Sequence, residues 1–181
     1  DGDIDLSGVD LTLNSLRIDS TAGTVRLHHA TATDVYLSSS SGTLDVGNLE
    51  ADKIRLETTN GVVSCDELTG SVAYSSTGGD LEIKDAVGSG SYKANNSGKL
   101  HVVYSEVTGD LYLFNKNDTV DLFLPADLAF RFVATTKNGS VSTTFQASDS
   151  DDGQTISGAV GIDPTFTVEV ETKNGNIQVK Q

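Results

Sequence analysis

The chain has 181 residues and 19.0 kDa, enough for one sizeable domain. Its 26 acidic and 12 basic residues give a net charge of −14, which repels a phosphate backbone and excludes nucleic acid as the expected partner. No 18-residue apolar run is present, so no membrane span is expected, and the lone Cys65 rules out an intrachain disulfide or a thiolate zinc cluster. With Asp at position 1 and no Met anywhere, the sequence reads as a mature fragment from which any targeting segment has been removed.

Taken in chain order, residues 1–14 supply Ile4, Leu6, Val9, Leu11 and Leu13, the makings of an incomplete N-terminal coil. One phrase then recurs: apolar-x-apolar, a short Ser/Thr/Asn run, Gly, x-apolar-x-apolar. It reads LRIDSTAGTVRL, VYLSSSSGTLDV, IRLETTNGVVSC, VAYSSTGGDLEI, LYLFNKNDTVDL and VEVETKNGNIQV. The corner residues are Gly23, Gly42, Gly61, Gly79, Gly98, Asp118, Gly139, Gly158 and Gly175, spaced by 19, 19, 18, 19, 20, 21, 19 and 17 residues. Apolar residues stand two and four places after the corners (Val25/Leu27, Leu44/Val46, Val63/Cys65, Leu81/Ile83, through Val160/Ile162 and Ile177/Val179), with Thr143 after Gly139 the exception. They recur seven and five places before it (Leu16/Ile18, Val35/Leu37, Ile54/Leu56).

Period-2 alternation on both sides of a corner is the pattern of strands with one face in and one face out, and a helix would scatter it. Asn60-Gly61, Asn138-Gly139 and Asn174-Gly175 would also suit two-residue hairpins. A meander, however, has no need of a fixed period, whereas a solenoid does. The expectation is an all-β fold: a right-handed parallel β-helix (β-solenoid) of about nine coils, period near 19 residues, forming one domain over 1–181.

Three departures are expected. Before Gly98 a strict register would bury Ser91 and Lys93, so a one-residue shift that buries Tyr92 and Ala94, with a bulge, is predicted. Residues 146–155 (QASDSDDGQT) read as an exposed loop, and 156–181 as closing coils. All six Phe lie at 114 or later, which predicts a wider aromatic core at the C-terminal end.

On the outward face, six residues before the corner, stand Arg17, Tyr36, Arg55, Ala73 and Tyr112. Stacked at ~4.8 Å, they form a candidate cation–π ladder for ligand binding by Arg17, Tyr36, Arg55 and Tyr112; the same residues also serve simply as β-favouring neighbours. Asp149, Asp151 and Asp152 are the candidate metal ligands, because hard cations take carboxylate oxygens. DSDDGQ nevertheless fails the EF-hand pattern, and no metal site is assigned. Asp1, Asp3 and Asp5 cluster at the start, and His28, His29 and His101 lack metal-ligand spacing. Glu57 and Glu171 share one outward column far apart, Cys65 takes an inward core position, no cofactor is called for, and catalysis is not expected.

Two segments, VDLFLPADLAFRFVATTKNGSVSTTF and GIDPTFTVEVETKNGNIQVKQ with its T-x-NG-x-I coil, resemble the bacterial putative-adhesin family, a domain of unknown function in envelope proteins. The resemblance implies a single-stranded right-handed β-helix, no catalytic residues to carry over, and an extracellular or cell-surface location. The function it implies is an adhesion or interaction module with a cell-surface glycan or protein as partner. The acidic charge adds a second expectation, a sensor or decoy for cationic peptides, and the shared architecture a third, a glycan-active enzyme. Oligomeric state is not readable from the sequence.

Overall fold

The computed structural model describes residues 2–149 and 154–181. Its strands are β1 (Ile4–Ser20), β2 (Thr24–Ser39), β3 (Thr43–Thr58), β4 (Val62–Ser76), β5 (Leu81–Ala94), β6 (Leu100–Asn115), β7 (Val120–Phe123), β8 (Phe130–Thr136), β9 (Val141–Thr143), β10 (Ser148–Asp149), β11 (Thr155–Val160), β12 (Phe166–Thr172) and β13 (Ile177–Lys180). Among the described residues there is no helix, and hence none long and apolar enough to cross a membrane.

The six long strands β1 to β6 pair parallel with their chain neighbours, each bending through a full coil of a β-solenoid. Alternation buries every second side chain, so that Leu27, Val46, Cys65, Ile83, Val102 and Leu122 stack as one buried column. Full burial of such a side chain contributes about 1.5–3 kcal/mol, which offsets the cost of ordering the coil.

The corners explain the Gly periodicity. A Cβ on Gly42 would run into the Gly23 carbonyl oxygen, and one on Gly61 into that of Gly42, because successive corners stack backbone on backbone. Gly98 adds a φ of 110°, which a side chain would strain. Inside most corners a buried polar side chain (Ser39, Thr58, Ser76, Asn115, Thr136 or Thr172) serves the backbone, whereas the corner at Gly98 has Ala94 in that place. The Gly42 N–H donates to Ser39 Oγ (3.0 Å) and the Gly61 N–H to Thr58 Oγ1 (2.6 Å). At the one corner built on Asp118, Asn115 takes that place. Its carbonyl oxygen accepts from the Asn117 and Asp118 N–H groups, and its amide donates to the Gly98 carbonyl (2.7 Å).

The register shift before Gly98 is present: Tyr92 and Ala94 are buried, and the β5–β6 pairing slips near Gly88 and Gly90. The N-terminal segment is more complete than the sequence suggested. Residues 4–6 and 10–20 both pair with β2, so β1 forms a whole rung that slips only between Leu6 and Asp10. Val9 and Leu13 point outward, which is why its apolar pattern looked broken.

Six coils, not nine, follow one another in chain order. After β7 the chain skips a rung to lay down β8 and β9, then returns. β12 inserts between β6 and β8, parallel to both, and β13 inserts between β7 and β9. Gly158 is therefore not a corner. It lies within β11, which runs antiparallel along the outer edge of β8 with Gly158 opposite Phe132, and Ile162, expected inside, is 86% exposed. Within the segment expected as a loop over 146–155, Ser148–Asp149 form β10, which pairs antiparallel with Ile156 and Ser157 of β11, while residues 150–153 lie outside the described region. Phe130, Phe132 and Phe145 meet edge-to-face at 5.0–6.1 Å and fill this end of the core, as the Phe distribution predicted.

Candidate functional site: an arginine–tyrosine stack on the flat face

Strict in/out alternation and parallel register place Arg17 of β1 opposite Tyr36 of β2, and Tyr36 opposite Arg55 of β3. The Arg17 guanidinium carbon lies 4.1 Å from the Tyr36 ring centroid and that of Arg55 5.8 Å from it, so the tyrosine is held between two cations. Carboxylates one column over complete the assembly. Asp19 pairs with Arg17 (2.8 Å), and Glu57 accepts from Arg55 Nε (2.7 Å) and from the Tyr36 hydroxyl (2.7 Å). The Tyr36 hydrogen bond, more than the Arg55 contacts, holds the Glu57 carboxyl below its usual range against the opposing effect of burial. Both arginine side chains remain 63–65% exposed.

Tyr112 does not join this stack. Between Arg55 and Tyr112 the same column carries Ala73 and Ser91, so the two are three rungs, about 14 Å, apart. Tyr112 heads a second cluster instead: Lys93 Nζ sits 5.5 Å from its ring centroid, and its hydroxyl donates to Glu171 (3.3 Å). The Tyr36–Glu57 and Tyr112–Glu171 pairs are the same diagonal contact, from a tyrosine to a carboxylate one rung on and two residues along. The sequence put Glu57 and Glu171 in one column without linking either to a tyrosine, because that diagonal needs the register, and for Glu171 also the insertion of β12. Between the two clusters the column carries only the small side chains of Ala73 and Ser91.

Among the described residues no group of three or more His, Cys, Asp or Glu is placed to hold a metal ion. Of the candidate ligands, Asp149 belongs to β10, and Asp151 and Asp152 lie outside the described residues. Ser7 hydrogen bonds hold the Asp5 carboxyl below its usual range. His101 stacks obliquely on Phe123 at 5.3 Å, with Nδ1 3.8 Å from Asp121. Cys65 is buried, and desolvation pushes its thiol up, away from the reactive thiolate.

Residues 1–97 match the sequence model of the family described as Toastrack DUF4097. The match falls on the regular coils rather than on the two C-terminal segments that carry the resemblance in the sequence. A solved structure of a putative cell adhesion protein from Clostridium sporogenes aligns over 95% of this chain and 92% of its own, at 10% identity and a TM-score of 0.35. No curated protein matches the chain at a significant level.

Proposed function

The chain belongs to the Toastrack DUF4097 family, and from that premise we propose that it is a non-catalytic adhesion module of the bacterial cell envelope that presents its flat face to a cell-surface glycan. The observation that carries this reading is the Arg17–Tyr36–Arg55 stack ending abruptly at Ala73. Tyr36 already has cations toward both faces, so a sugar ring does not stack on it. The far side of the Arg55 guanidinium, above the small Ala73, is the open shelf, and Ser75, Ser91 and the Glu57 carboxylate supply hydrogen-bonding groups beside it. Tyr36 and Glu57 act as positioning residues that fix the arginine plane. A stack supported by a rigid sheet binds with little ordering cost in the protein.

The test fills or empties the shelf and reads binding to immobilised neutral glycans. Ala73→Trp, and separately Tyr36→Ala with Arg55→Ala, are expected to weaken binding at least tenfold while the melting temperature stays nearly unchanged, since these side chains lie outside the core. Unchanged glycan binding in both variants overturns the reading.

The excess of 26 acidic over 12 basic residues supports a second reading, capture of cationic peptides. Arg17, Arg26, Arg55, Lys84 and Lys99 are already tied to carboxylates, so the acidic excess faces solvent. Peptide capture by that field falls steeply between low and physiological salt, whereas stacking on the shelf does not.

A further inference from the structure

The insertion of β12 and β13 brings together three corners that the chain keeps far apart: NKND (115–118), TKNG (172–175) and TKNG (136–139). In space they are successive rungs in that order. The Asn174 N–H donates to the Lys116 carbonyl (2.9 Å) and the Asn138 N–H to the Lys173 carbonyl (2.8 Å). Two columns result. Lys116, Lys173 and Lys137 stack with their α-carbons about 4.8 Å apart. Beside them runs an asparagine ladder in which Asn138 donates to Asn174 (2.7 Å), Asn174 to Asn117 (2.6 Å) and Asn117 to Asn96 (3.4 Å).

Among the described residues the lysine column has no counterpart. Five of the chain's cations are paired with carboxylates, yet none of these three lysines has a carboxylate within ion-pairing distance among the described residues. Glu171, the acid nearest in sequence to Lys173, is taken by the Tyr112 hydroxyl, and the Asp118 carboxylate accepts from the Thr119 N–H. Like charges on adjacent rungs are destabilising, so the column does not serve the fold. It is a row of unneutralised ammonium groups on a protein of net charge −14. At physiological ionic strength charges farther than about 8 Å from the column are largely screened, so its own ammonium groups weigh most in what it attracts.

We propose that this Lys–Asn corner binds an anionic polysaccharide carrying a carboxylate on each sugar. The lysines are compact charges on flexible stems, so their heads adjust to the spacing of carboxylates along a polymer. Each asparagine amide spends one N–H on the ladder and keeps a second N–H and a carbonyl lone pair, the complementary set for sugar hydroxyls. Phe114, half-buried on the outward face two residues before Lys116, offers an apolar surface for a ring. Neutral amides and an aromatic beside the charges favour a sugar acid over inorganic polyphosphate. The site lies several rungs from the Arg55 shelf, and the proposal does not rest on that reading.

The test is titration of the full chain with polygalacturonate, with dextran and inorganic polyphosphate as comparisons. The triple variant Lys116→Gln, Lys137→Gln, Lys173→Gln is expected to lose at least tenfold in polygalacturonate affinity and most of its salt dependence. It should melt no lower than the parent, because a repulsion has been removed. A control with the same charge change elsewhere, Lys53→Gln, Lys84→Gln, Lys99→Gln, should retain binding, and Ala73→Trp should leave it untouched. Equal loss in both triple variants would reduce the effect to net charge and overturn the proposal. So would polyphosphate binding as tightly as polygalacturonate, or no binding of polygalacturonate by the parent.

Discussion

The two ends of the sheet are built from the same coil motif but assembled differently. In β1 to β6 every coil stacks on its predecessor, so bonded corners are about one period apart: the Lys99 N–H reaches Asp80 across 19 residues and Ser41 reaches Thr21 across 20. In the C-terminal part the asparagine ladder joins residues 57 and 36 apart, because the last coil closes a gap left between β6/β7 and β8/β9. The first region can grow rung by rung; the second requires β8 and β9 to wait for a strand that comes later in the chain. Loop-closure entropy is therefore met late, and only the final coil rewards it.

The largest expected effect tests this difference directly. Ending the chain at residue 163 removes β12 and β13, leaving β8 without its parallel partner and β7 and β9 without the strand between them. The β1–β6 coils should keep their hydrogen-exchange protection while 124–160 loses it. A synthetic peptide of residues 164–181 added in trans should restore that protection. Global unfolding of the truncated chain would show that the two regions fold as one unit; retained protection of β8 without the peptide would show that the inserted coil is dispensable.

Much of the first region was legible because alternation and period fix both the face and the neighbour of each residue. Even the shift that buries Tyr92 followed from the clash of Ser91 and Lys93 with the core pattern. The second region was not, for a physical reason. Every coil carries the same motif, so periodicity says that coils stack but not in which order. Gly158, flanked by Ile156 and Val160, satisfies the corner pattern as well as a strand does. Only an antiparallel partner on the edge of β8 decides between them, and that is long-range information. The candidate site divides the same way. Arg17, Tyr36 and Arg55 are consecutive coils and were found together, whereas Tyr112, grouped with them by column, answers to Glu171 of the inserted strand.

Alkali separates the regions by a smaller effect. The buried phenols belong to the in-order coils: Tyr74, which burial pushes up to about 12, and the Tyr92–Tyr104 pair, 2.7 Å apart, both raised chiefly by desolvation. The aromatic cap of the other end is phenylalanine throughout. A phenol raised in the folded state holds its proton where the unfolded chain has lost it. Its contribution is complete below the ordinary value of 10 and is lost as pH rises from there through the folded value. Each such group costs about 1.4 kcal/mol per pH unit in that window. Denaturant unfolding between pH 9 and 11.5 should show stability falling above 10. Tyr92→Phe with Tyr104→Phe should flatten that limb, and an unchanged slope would mean that the phenols are not what alkali attacks.

The smallest difference sits inside the corners. At the Gly61 corner one hydroxyl, Thr58, serves one buried donor, the Gly61 N–H (2.6 Å). Thr58→Val keeps the shape but strands that N–H, at a cost of about 1–3 kcal/mol. At the inserted corner two hydroxyls share one acceptor: Thr136 and Thr172 both lie within hydrogen-bond distance of the Gly175 carbonyl (2.9 and 2.8 Å) and of each other (2.8 Å). Thr172→Val leaves Thr136 still bonded to that carbonyl, so about 0.5–1 kcal/mol is expected. Urea midpoints of the two variants should therefore fall in the order Thr58→Val, then Thr172→Val, then the parent. The reverse order would mean that the shared hydroxyls hold the inserted coil in place, and that the out-of-order region depends more on its corner than the in-order region does.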